Sequence, residues 1–353
     1  MARNLYVHFP FCRSKCAYCA LFSRAGSSAS ERAQYVRRLA EALSSPPLSD
    51  ERGVMETVYF GGGTPALCDL SPLFSALEPL MAQDCEFTVE LNPRDVTPSL
   101  LDALAAGGVN RISMGVQSLD DKVLAAMGRG HAFGDAERAF EIVRRRFDNC
   151  GIDLIAGYPG DARAVSPRHE RLLEWGLAHC SVYSLMLEKG SALRRRADAD
   201  AGFRDSLPGD DETMDAIRAM SRHLASIGLC RYEISNYALP GRECRHNLAV
   251  WRGEDYYGLG EGAHGRIGLL RTRNWMGGAF GEGCETASPE SDEAERRIFA
   301  LRTRYGLDAA GRDDWMSALD AFEAEGLVSR SGTIYRLTER GTEVCDTVLA
   351  ALV

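Results

Sequence analysis

An α/β fold is predicted by three features of the sequence. The 353 residues have ordinary globular composition, 45% hydrophobic and 26% charged. Six short apolar runs of β-forming residues recur over roughly the first 190 positions, and stretches with helical spacing lie between them. Repeated β-then-α units build one domain around a parallel sheet, because parallel strands need long crossovers. The sheet is either doubly wound or a barrel, and periodicity alone does not separate the two.

The runs are Leu5 to Phe9, Thr57 to Phe60, Phe87 to Leu91, Arg111 to Val116, Ile152 to Ile155 and Ser181 to Leu187. Between the first two, Ser30 to Ser44 places Tyr35, Leu39 and Leu43 on one helix face. Arg194 to Asp211 is charged and carries Gly and Pro, which predicts an exposed connection before a helix over Glu212 to Ile227. Tyr232 to Gly268 is rich in Gly, Asn, Tyr and Trp with little period; such a segment is expected to wrap something. Near the end, helices over Ala294 to Leu301 and Trp315 to Glu325, then a short strand over Thr333 to Leu337, follow a winged-helix pattern. Asp313, Asp314, Asp320, Glu323 and Glu325 make its second helix acidic, so a structural or lid role is expected in place of DNA contact.

Charge and length exclude several classes. The formal net charge is −9, which repels a phosphate backbone. No apolar run reaches the roughly 18 residues of a membrane-spanning helix, and MARNLYVHFPFC has no secretory pattern, so a cytoplasmic protein without nucleic-acid partners is expected. Eleven cysteines are unevenly placed. Cys68, Cys85, Cys150, Cys180, Cys230, Cys244, Cys284 and Cys345 are scattered and read as small buried hydrophobes.

Cys12, Cys16 and Cys19 instead cluster directly after the first run, the place where functional loops of α/β sheets sit. Zinc is the competing ligand, but structural zinc takes four ligands and no second CxxC is present. Three thiolates suit a cubane iron–sulfur cluster with one iron open. Gly61-Gly62-Gly63-Thr64-Pro65 follows the second run; glycines there permit close backbone approach to a ligand and leave N–H groups for its charges.

CxxxCxxC on the first loop followed by GGGTP on the second resembles the radical S-adenosylmethionine (SAM) superfamily. The resemblance implies a partial (β/α)6 barrel with a small C-terminal winged-helix-like domain, and a [4Fe-4S] cluster on Cys12, Cys16 and Cys19. It narrows at Leu5 to Cys12, Glu90-Leu91-Asn92-Pro93, Gly115-Val116-Gln117-Ser118, Gly128-Arg129-Gly130-His131, Gly151 to Gly157, Tyr232 to Tyr237 and Arg245-His246-Asn247. These are similar to the oxygen-independent coproporphyrinogen III oxidase group. That likeness implies SAM contacts at Tyr6, Gly62, Gly63, Thr64, Glu90, Gln117, Arg129 and Asp153. Carboxylates there suit an ammonium or ribose hydroxyls, and Arg129 suits a carboxylate.

Two branches of the group differ at readable positions. True oxidases resemble CxxxCxxCxC and carry an N-terminal arm, whereas this chain has Leu21 at the fourth cysteine's place and four residues before Leu5. Both features resemble the HemW-type haem chaperone branch, as does His246-Asn247-Leu248-Ala249-Val250-Trp251, with Val250 where that branch has tyrosine and Ala20 where it has an acidic residue. The resemblance implies haem as a further ligand, with His246 as its candidate iron ligand and His8 or His264 as alternatives. It also implies a haem-acceptor protein and a flavodoxin or ferredoxin electron donor. The alternative is a catalytic radical-SAM enzyme acting on a tetrapyrrole. The expected organisation is residues 1–190 as the barrel, 191–285 as a linker and irregular segment closing it, and 286–353 as the winged-helix-like domain.

Overall fold

The computed structural model describes residues 2–160, 167–280 and 283–352. Its main sheet is built on six strands: β1 (Asn4–Phe9), β2 (Met55–Gly62), β3 (Met81–Leu91), β4 (Arg111–Gln117), β5 (Cys150–Ala156) and β6 (His179–Ser184). All six run parallel, each beside the next in chain order. A doubly wound sheet reverses its order partway; β1 to β6 do not, which makes the order that of a barrel. The helix over Ala29–Leu43 opens with a Ser28–Glu31 capping box and buries Tyr35, Val36, Leu39 and Leu43.

The segment expected to be irregular is part of this sheet. β7 (Cys230–Arg231) and β8 (Asn236–Ala238) extend the β6 side, and β9 (Tyr256–Leu259) lies parallel to β1 on the other. β10 (His264–Ile267), β11 (Leu270–Arg273) and β12 (Glu285–Thr286) continue antiparallel beyond β9. Strands of two to four residues are too short to register as periodic, so their pairing was invisible in sequence. The edges are β12 and β7, so the barrel stays open. Arg194 to Asp211 is likewise no plain connection: helices cover Ala192–Ala199 and Ala201–Asp205, and the next helix begins at Asp210.

Residues from about 298 onward form a second apolar core around Leu301, Trp315, Leu319, Tyr335 and Val348, separate from the sheet's core. Helices Pro289–Leu301 and Asp313–Ala324 pack there with a three-stranded antiparallel sheet whose middle strand is Ile334–Leu337. Of the eight scattered cysteines, Cys68, Cys85, Cys150, Cys180 and Cys244 are buried. Cys230 is exposed because it lies on the edge strand β7, and Cys284 and Cys345 are half-buried. Among the described residues no helix is long and apolar enough to cross a membrane.

Candidate functional site

Side chains alternate across a strand, and the parallel strands divide accordingly. Val58, Phe60, Phe87, Val89, Ile112, Met114, Ile152, Leu154, Cys180 and Val182 enter the apolar core. Their alternates Tyr59, Glu90, Arg111, Ser113, Gln117, Asp153, His179 and Ser181 line a cavity of about 790 Å³. A face polar in this way is costly to bury without partners, so its position marks a site for a polar ligand.

Cys12, Cys16 and Cys19 line the same cavity. Their loop is fixed by backbone bonds: the Ala17 N–H donates to Met127 O at 2.9 Å, and the Leu193 N–H donates to Ala17 O at 2.7 Å. Among the described residues no three His, Cys, Asp or Glu side chains converge as they would around one metal ion. Cys12, Cys16 and Cys19 are three half-buried thiols lining one cavity, a donor set that suits a four-iron cluster with one open iron.

Gly62 and Gly63 bring the end of β2 against the thiol loop. A Cβ on Gly63 would lie 2.6 Å from Phe11 O, 2.7 Å from Phe9 O and 3.0 Å from Cys12 Sγ. One on Gly62, where φ is +103°, would meet the His8 ring at 2.5 Å. Only glycine permits that approach. Their amides are not free donors, contrary to expectation: Gly62 N–H donates to Glu90 Oε2 at 3.1 Å and Gly63 N–H to Phe9 O at 2.6 Å. Thr64 also lines the cavity, its hydroxyl accepting from Asn92 Nδ2 at 2.9 Å.

Glu90 accepts from Tyr59 Oη at 2.8 Å; burial, and then the charge of Asp153, push its carboxyl up to about 7. Burial also raises Asp153, which accepts from Ser113 Oγ at 3.1 Å. Arg129 donates Nη2 to Asn92 Oδ1 at 2.6 Å and holds Nη1 3.5 Å from Cys16 Sγ, while its buried Nε has no partner. Gln117 has φ +74°, beside a shift in the β4–β5 register between Gly115 and Gln117. A strained non-glycine residue at a strand's end is a common mark of a functional position.

The structure thus gathers ten of the twelve predicted site residues on one cavity: the three cysteines with Gly62, Gly63, Thr64, Glu90, Gln117, Arg129 and Asp153. Tyr6 and His246 are not among its lining. Tyr6 stands behind, with Oη 3.0 Å from His8 Nδ1. His246 is buried in the helix Arg245–Trp251, its Nδ1 2.8 Å from Thr57 Oγ1 and its ring beside those of Tyr6, Tyr59 and Tyr256. In this fold its ring therefore stands off the cavity lining, with Nδ1 already engaged by Thr57. His8 has both ring nitrogens engaged, the first with Tyr6 Oη and the second 2.8 Å from Phe22 O. His264 is exposed on β10, also off the cavity lining. Arg111, His179 and Ser181 were missed; only their strand phase, alternate to the apolar residues, marked them as inward-facing.

An open parallel barrel with a three-thiol loop and a glycine-supported cavity defines a radical SAM protein, and the Radical SAM superfamily model matches residues 6–164. Heme chaperone HemW of Mycobacterium tuberculosis is 32% identical over 99% of this chain and 94% of its own length. Heme chaperone HemW of Escherichia coli is 30% identical, covering 98% and 97%. The bovine (Bos taurus) mitochondrial radical S-adenosyl methionine domain-containing protein 1 is 32% identical, covering 97% and 82%. The chain belongs to the HemW family of heme chaperones, within the radical SAM superfamily. In fold it matches coproporphyrinogen III oxidase (HemN) of Escherichia coli, with a TM-score of 0.82 at 21% identity over 99% of this chain and 90% of that one.

Proposed function

We propose that this protein binds haem and delivers it to an acceptor protein, carrying a [4Fe-4S] cluster on Cys12, Cys16 and Cys19 and SAM in the adjoining cavity. The observation that carries the reading is the full-length relationship to heme chaperones together with Leu21 where an oxidase-type fourth cysteine would stand. When bound, the cluster supplies an open iron able to chelate the amino and carboxylate groups of SAM. The chain's own residues do the rest. Glu90 and Asp153 offer carboxylates to cationic or hydroxyl groups, Arg129 offers a guanidinium to a carboxylate, and Gly62 and Gly63 leave room beside Cys12. Tyr59 and Ser113 fix the two carboxylates by donating to them.

In this reading the protein works in the cytoplasm, any electron donor is a flavodoxin or ferredoxin, and the division at 190 and 285 separates barrel, connecting segment and winged-helix-like domain. The anaerobically reconstituted protein is given SAM, a low-potential reductant and either haem or coproporphyrinogen III, and then an apo-haem protein. Haem held unmodified and passed on, without matching 5′-deoxyadenosine, is the expected result. Protoporphyrinogen formed with stoichiometric 5′-deoxyadenosine would make the protein an oxidase instead.

A further inference from the structure

The large apolar side chains left exposed are not scattered evenly. Leu21 (54% exposed), Tyr183 (42%) and Met186 (64%) all line the cavity, and Phe22 (53%) adjoins Leu21. Leu21 belongs to the thiol loop, whereas Tyr183 and Met186 lie at and beyond the end of β6, so two separate segments present apolar surface to one mouth. Leaving such side chains in water is unfavourable, and a concentration of them at a cavity marks a binding surface.

The same mouth carries cations. Lys15 and Arg94 are exposed cavity residues with no acidic partner among the described residues; the Lys15 ammonium donates only to the backbone carbonyls of Leu21 and Ser23. Arg13 is paired with Asp95, and Glu188 adds one unmatched negative charge. A ligand suited to this surface has a broad apolar body and acidic groups at its margin. Haem has both, in its macrocycle and its two propionates.

We propose that haem docks on this mouth, with its macrocycle against Leu21, Tyr183 and Met186 and its propionates toward Lys15 and Arg94. The assignment rests on the haem-binding reading above and gives that cargo a place next to the cluster loop, away from His246. Met186 there presents a thioether, a donor that haem iron accepts. It is the exposed residue of the three with a soft donor atom.

Haem titration of the cluster-loaded protein tests this, with iron content measured for every variant. Leu21→Gln and Met186→Gln each replace an exposed side chain and preserve charge, so the fold is retained; each is expected to weaken haem binding by about tenfold. Leu269→Gln, an exposed apolar position off the cavity lining, serves as the control and should bind as the wild type does. Arg94→Gln is expected to remove the preference for haem over its dimethyl ester. Unchanged affinity in both Leu21→Gln and Met186→Gln overturns the docking site while leaving the haem reading intact. A wild type that binds no haem overturns that reading, and this proposal with it. A haem-independent dimer that the same substitutions dissolve would assign the mouth to a second copy of the chain and also overturn the proposal.

Discussion

The Arg129 guanidinium approaches Cys16 Sγ to 3.5 Å, although the two residues lie 113 positions apart in the chain. The contact sets a fixed positive charge beside one thiol of the candidate cluster site. Charge and hydrogen bonds to cluster sulfurs set reduction potential, since a nearby cation favours the more negative, reduced state. Arg129→Gln is therefore expected to lower the potential by on the order of 59 mV, the one-electron equivalent of a tenfold shift in equilibrium. An anaerobic redox titration followed by electron paramagnetic resonance measures it, and an unchanged potential would remove Arg129 from that role.

Gly63 tests the support beneath the thiol loop. An added Cβ would press on two backbone carbonyls, which cannot turn aside as a flexible side chain would, and on Cys12 Sγ. Gly63→Ala should reduce bound iron about as severely as Cys16→Ser, even though it removes no ligand. Cys68→Ser, at a buried cysteine away from the cavity, should leave iron content unchanged. Iron and sulfide quantitation after reconstitution distinguishes the three.

Much of this arrangement was legible in the sequence because the informative residues lie where local pattern and chemistry coincide. The cysteines stand just after β1 and the glycines at the end of β2, where a turn and a ligand both constrain them. The six parallel strands showed through apolar runs long enough to read. Arg111 did not, because one inward-facing arginine at the start of a strand looks the same as a surface charge until its neighbours are placed. β9 was missed because it owes its existence to pairing with β1, some 250 residues earlier. His246 was read from a motif that carries no information on which way a helix turns; in the fold Asn247 lines the cavity and His246 does not.

Glu90 couples stability to binding. Its carboxyl, ordinarily at 4.5, lies at about 7 in the fold because of burial and the charge of Asp153. The folded state consequently holds a proton that the unfolded state releases between these values, and stability falls as pH rises through that window. Glu90→Gln removes this cost and still offers an oxygen to Tyr59 and Gly62. The cofactor-free variant should be more stable than the wild type at pH 8 by up to about 3 kcal/mol, while SAM affinity decreases. Thermal unfolding and SAM titration at pH 8 give the two readouts; a variant no more stable than the wild type contradicts the assignment.

His246 separates a structural role from an iron-ligand role. Thr57 donates its hydroxyl proton to Asn4 Oδ1 at 2.9 Å, which leaves its oxygen to accept from His246 Nδ1. Burial, and then the Arg111 charge, lower the imidazole from 6.5 to about 3. The folded state therefore keeps His246 neutral where the unfolded state takes up a proton. Its contribution to stability is full above pH 6.5 and is lost as pH falls toward 3. His246→Ala forfeits the hydrogen bond and leaves a void among three tyrosine rings, at a cost on the order of 3 kcal/mol at neutral pH. The variant should also lose less stability between pH 6.5 and 4 than the wild type. Because the ring does not line the cavity, haem affinity of the folded variant should equal that of the wild type. Denaturant unfolding at several pH values and haem titration test both parts. Weakened haem binding with undiminished stability would return His246 to the iron.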